Sequence, residues 1–162
     1  MFDDFQLSTI TLEGGKILKD IRTNFNLVTN ELLYVDENGK TMIASPKVIK
    51  QVDTGTRKFV TTAAKNSYFE VLTDGKAKLF KHYRKVVMET KAFNSATVQK
   101  TFVTNEDYMV AAGENLREVK SLNDIYEVLA PAGQLKDFAK KEKLKQKSAS
   151  SWMKIVNYYN SI

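Results

Sequence analysis

Between Leu7 and about Lys120, apolar and polar residues alternate over short runs that end in turn chemistry, the pattern of strands joined by hairpins. The clearest case is Leu32-Leu33-Tyr34-Val35, then Asp36-Glu37-Asn38-Gly39, then Lys40-Thr41-Met42-Ile43-Ala44. Asn-Gly between β-formers predicts a type I′ turn, in which both central residues take positive φ. A second hairpin is predicted around Thr73-Asp74-Gly75, between Tyr68–Leu72 and Lys76–Lys81. Its return arm places Ala77 and Leu79 on one face and Lys76, Lys78 and Phe80 on the other. Weaker turn signals stand at Glu13-Gly14-Gly15, Asp53-Thr54-Gly55 and Gly113-Glu114-Asn115. The Gly-Lys pairs at 15–16, 39–40 and 75–76 recur at unequal spacing, so they mark repeated hairpin chemistry and not a solenoid. Lys91–Ala96 has no periodicity and is expected to be a loop.

After Lys120 the period lengthens. Leu122, Ile125, Tyr126 and Leu129 fall on one helical face, with Ser121 as N-cap, Asp124 in a capping-box position and Pro131 ending the helix. Leu135, Phe138 and Ala139 predict a shorter helix. Trp152, Ile155, Val156 and Tyr159 form a full stripe, capped by Ser150 or Ser151. The expected fold class is α+β: a mainly antiparallel β meander over residues 1–120, a sandwich or partly open barrel, with a helical segment 121–162 packed on it. At 162 residues the chain can bury a core without staples.

The chain has no cysteine, which removes disulfides, thiolate metal sites and cysteine nucleophiles together. No apolar run reaches the roughly 20 residues that span a bilayer as a helix. The start, Met1-Phe2-Asp3-Asp4-Phe5, lacks the basic region of a signal peptide. The net charge of +6 is uneven. From Gln134 to Ile162 there are seven lysines and two acids; the preceding 133 residues are nearly balanced.

Catalytic chemistry is thinly represented. His82 is the single histidine, flanked by Lys81 and Arg84, and reads as a surface residue and not a catalyst. Gly39-Lys40-Thr41 imitates the end of a P-loop, but position 34 is a tyrosine and strand-formers follow, so a hairpin is the better reading. No paired-carboxylate, metal or nucleotide motif is present, and no enzyme activity or cofactor is expected. Tyr68, Phe69, Phe80, Tyr83, Phe93, Phe102 and Tyr108 are expected mainly in the core, with a glycan- or ligand-binding aromatic platform as the functional alternative. The remaining candidates are Lys140, Lys141, Lys143, Lys145 and Lys147. They read as a solvated face and linker, or as a contact for an acidic protein or anionic lipid headgroups. Nucleic acid is disfavoured, because the segment has no arginine and no recognition motif surrounds it.

Two stretches carry a resemblance. One is Leu12-Glu13-Gly14-Gly15-Lys16 with Tyr34-Val35-Asp36-Glu37-Asn38-Gly39-Lys40, Arg57-Lys58-Phe59-Val60 and Tyr68-Phe69-Glu70-Val71-Leu72. The other is Lys140-Lys141-Glu142-Lys143-Leu144-Lys145 with Ile155-Val156-Asn157-Tyr158-Tyr159-Asn160-Ser161. Together they resemble a family of small exported proteins of Bacteroidetes, β-rich with a lysine-rich helical C-terminus. The resemblance implies a periplasmic or exported location and a protein partner in the cell envelope. It brings no catalytic residue, and the missing signal peptide departs from its pattern.

Overall fold

The computed structural model describes residues 1–62, 67–91 and 98–162. It contains ten strands: β1 (Gln6–Leu12), β2 (Ile17–Asn26), β3 (Glu31–Val35), β4 (Thr41–Ala44), β5 (Ile49–Asp53), β6 (Lys58–Thr62), β7 (Ser67–Thr73), β8 (Ala77–Lys91), β9 (Val98–Ala112) and β10 (Asn115–Val119). Three helices follow: α1 (Leu122–Val128), α2 (Ala132–Lys141) and α3 (Ala149–Ser161). The strands form one sheet in the order β10-β9-β8-β7-β6-β5-β1-β2-β3-β4. The α+β class and the antiparallel meander are as the sequence predicts. Lys91 closes β8, and the rest of the expected Lys91–Ala96 loop lies outside the described residues.

Contacts gather the chain into two compact units, Met1–Phe69 with Tyr83–Glu106, and Glu70–His82 with Asp107–Ile162. Residue 120 marks the change from strand to helix, but the second unit also takes in strand residues. Ala77, Leu79, Val110 and Val119 form the apolar surface on which the helices pack.

In the first unit two bulges bend the sheet. The β1–β2 register shifts between Ser8 and Ile10, where Asp20 takes φ +58°, and the β1–β5 register shifts between Thr11 and Leu12. Each sharpens twist where the ladder is interrupted. The connection from β4 to β5 also requires curvature. In a flat sheet those strands would lie four spacings, about 19 Å, apart. The chain from Ala44 to Ile49 reaches at most about 17 Å even when extended, and it contains a turn, Val48 N donating to Ser45 O. β3 and β4 therefore curl over β1 and β2 at one end of an open antiparallel sheet. The core of this unit is Ile10, Phe25, Leu32, Ile49, Val52, Phe59 and Tyr68.

The predicted hairpin 32–44 forms, with Tyr34 opposite Met42 and Val35 opposite Thr41, one residue out of the register that a two-residue Asn38-Gly39 turn would give. Its turn differs: Gly39 alone takes positive φ, at +78°. The Asp36 carboxylate accepts the N–H groups of Asn38 and Lys40, and Asp36 O accepts Gly39 N. That network favours a wider turn ending in a bulge glycine over type I′.

The second unit is organised around α3. Trp152, Ile155 and Val156 are buried with Leu122, Ile125, Leu129 and Leu135, and Phe138 stacks on Tyr158 at 4.0 Å. Ser121 caps α1 as predicted: the Asp124 carboxylate accepts Lys120 N, Ser121 N and Ser121 Oγ. The Lys120 amide, first among these, holds the Asp124 carboxyl below its usual range. The α3 cap is Ser148, not Ser150 or Ser151. Ser151 is buried in the first turn, where its hydroxyl accepts Lys145 N.

At the other end of α3, Asn160 fastens the β7–β8 hairpin. Its Oδ1 accepts Ala77 N, and its Nδ2 donates to Ala77 O and Asp74 O. A Cβ on Gly75 would lie 2.7 Å from that amide, so only glycine permits the approach.

Candidate functional site

Lys140 and Lys141 lie in the last turn of α2, where their charge is favourable against the helix dipole. Lys143, Lys145 and Lys147 follow in the connection to α3. All five side chains are exposed, and no carboxylate forms an ion pair with them among the described residues.

The backbone beneath them is fastened from Lys143 to Gln146. Lys143 N donates to Lys140 O and Leu144 N to Ala139 O, the paired bonds of a Schellman motif. Leu144 packs against the helical core. Lys145 N donates to Ser151 Oγ at 3.0 Å. Gln146 O accepts both Trp152 Nε1, at 2.9 Å, and Leu122 N, at 3.0 Å. The lysines therefore stand on an ordered corner and not on a loose linker. Beside it lies a dimple of about 280 Å³ whose lining includes Asn123, Tyr126, Lys136, Lys140 and Leu144. Lys136 Nζ sits 5.8 Å from the centre of the Tyr126 ring.

Lys143 occupies the position of the Schellman motif that glycine usually takes, at φ +51°. A left-handed conformation costs an L-residue about 1–2 kcal/mol, partly offset by glycine's greater freedom when unfolded. Lys143→Gly is expected to stabilise the protein by about 0.5–1 kcal/mol. Chemical denaturation checks this, with Lys145→Gly as the control that should not stabilise.

His82 lies beside a carboxylate, its Nδ1 3.8 Å from Asp107 Oδ2. Neither residue lines the 280 Å³ dimple or the larger cavity described below. The aromatic candidates disperse. Tyr68, Phe69 and Phe80 are buried; burial also raises the Tyr68 hydroxyl pKa. Arg57 Nη2 donates to the Tyr83 hydroxyl, and its guanidinium lies over the Tyr83 ring. Tyr108 packs against Trp152 with ring centres 5.1 Å apart. Phe102 is 61% exposed, and Phe93 lies outside the described residues. Among the described residues they form no stacking platform.

Comparison with protein families, with curated proteins and with solved structures gives no match.

One site was not foreseen from the sequence. In the first unit a cavity of about 680 Å³ opens between the curled β3–β4 edge and β1, β2 and the start of β5. Its walls include Ile10, Leu12, Leu18, Ile21, Val48 and Ile49, with Asp36, Glu37 and Asn38 also in its lining. Ile43 and Val48, which also line it, are 59% and 51% exposed. The sequence signal was Ile43 and Val48 on either side of the Ser45-Pro46-Lys47 connection from β4 to β5, a pattern that carries no chemistry until the sheet curls.

Proposed function

We propose that this chain is a non-catalytic binding protein that works by protein–protein contact, with the Lys140–Lys147 corner docking on an acidic surface of its partner. The observation that supports it is the combination of five unpaired, exposed lysines with a backbone tied by Leu144 N, Lys145 N and Gln146 O. Ordering the backbone beforehand lowers the entropic cost of association. The charges steer encounter with an acidic patch. The Lys136/Lys140 dimple offers a seat for one carboxylate side chain. The cell envelope is the setting that the resemblance suggests.

The test uses the full chain as bait under crosslinking, followed by titration of the recovered partner. Lys145→Glu/Lys147→Glu, both outside the helices, is expected to weaken the complex at least ~10-fold, with an unchanged unfolding midpoint. Raising the salt from 0.05 to 0.5 M should weaken the native complex comparably. A complex indifferent to both changes would refute this reading. Binding only to vesicles of anionic lipid would move it to a membrane surface.

A further inference from the structure

We propose that the cavity in the first unit is a binding site for a single aliphatic chain bearing a cationic or uncharged head group. This site is independent of the lysine corner. Three observations carry the inference.

The interior of the curled sheet is filled unevenly. At one end Phe2, Phe25, Phe59 and Tyr68 pack ring against ring, with Phe25 and Phe59 centred 4.5 Å apart. At the other end the floor consists of the aliphatic side chains of Ile10, Leu12, Leu18 and Ile21, and a space of about 680 Å³ is left open above them. That volume falls within the range of about 300–1,000 Å³ usual for small-molecule pockets, and mouths of curled or closed sheets are a common place for them. Space walled largely by aliphatic residues accepts apolar guests.

The opening is also built into the backbone. The bulge at Asp20 lies between Leu18 and Ile21, and the β1–β5 bulge falls just before the Leu12–Ile49 pair. All four of those side chains line the cavity. Bulges re-aim side chains beside binding sites, and here both of these shifts border the same space.

The head-group preference follows from charge. The lining contains two carboxylates, Asp36 and Glu37, and no lysine or arginine. Asp36 is fixed in place by the Asn38 and Lys40 amides, so its charge stays at the rim. A fatty carboxylate arriving there meets like charge, whereas an alkylammonium or an alcohol does not. The aliphatic walls, with no stacking platform, also point away from a glycan.

Three probes of equal chain length test this by calorimetric titration: decyltrimethylammonium and decanoate, each below its micelle concentration, and decanol below its solubility limit. Saturable one-to-one binding is expected for the first two, with decanoate at least ~10-fold weaker. Ala44→Phe, which adds a ring at the cavity wall, should weaken all three at least ~10-fold while leaving the unfolding midpoint near that of the native chain. Should that variant unfold, Val48→Lys at the exposed rim provides the second arm, and it should shift the preference toward decanoate. The proposal is overturned if no probe saturates, if binding survives both substitutions unchanged, or if the native chain prefers decanoate.

Discussion

Trp152→Ala is expected to lower the free energy of unfolding by about 3–5 kcal/mol, the usual cost of emptying a buried aromatic position. Native domains hold only about 5–15 kcal/mol in total, so this is a large share. Trp152 is buried against the α1–α2 core and meets Tyr108 edge-on at 5.1 Å, 74° between ring planes. Its Nε1 also donates to Gln146 O, one of the bonds that fixes the lysine corner. The substitution therefore removes packing and a loop anchor together. Trp152→Phe keeps most of the packing and loses the anchor, and should cost about 1–3 kcal/mol. Urea denaturation of both variants checks this, with the midpoint falling and the slope preserved. A loss below 1 kcal/mol for the alanine variant would mean that α3 is not the keystone of its unit.

The second large effect belongs to the first unit. Phe59→Ala should also cost about 3–5 kcal/mol. Phe59 is almost fully buried, lies 4.5 Å from Phe25 and 6.2 Å from Phe2, and carries the Arg57 guanidinium 5.1 Å from its ring centre. Arg57 also sits over Phe2 and Tyr83, at 5.3 and 5.1 Å. Phe59→Leu retains the volume class but loses the aromatic pairs, each worth about 0.5–1.5 kcal/mol, and the cation–π contact. It should therefore fall about 1–2 kcal/mol below the native chain. If the leucine variant matches the native chain, the ring geometry contributes nothing beyond buried volume.

The parts of this fold that were legible in the sequence are those fixed by neighbours in the chain. Gly39, Gly55 and Gly113 mark hairpins because the turn itself needs positive φ. The stripes 122–129 and 152–159 mark helices because one face must be apolar. What escaped depends on residues far apart or on side-chain bonds. The Asp36 carboxylate decides the turn at Asn38-Gly39. Ser148 starts α3, whereas Ser151 is diverted to bond Lys145 N. The Schellman motif was hidden because lysine, not glycine, holds its left-handed position. Asn160 belonged to a terminal motif noted only by resemblance, yet its three bonds to Asp74 and Ala77 cross more than 80 positions of chain. The aliphatic cavity needs five strands to meet, and its curvature comes from bulges at Asp20 and beside Leu12 that no propensity marks.

The lysine run was visible as charge, but its order was not. Sequence alone left a solvated linker as the simplest reading. Four backbone bonds around Leu144, Lys145 and Gln146 turn it into a fixed surface.

That surface is tested most directly by acetylation footprinting of the full chain, alone and in its crosslinked native complex, read out by mass spectrometry. The account predicts that Lys140, Lys141, Lys143, Lys145 and Lys147 lose reactivity together in the complex, while the exposed Lys16, Lys19, Lys40 and Lys50 remain unchanged. Protection confined to those control lysines, or no protection at 140–147, would contradict it.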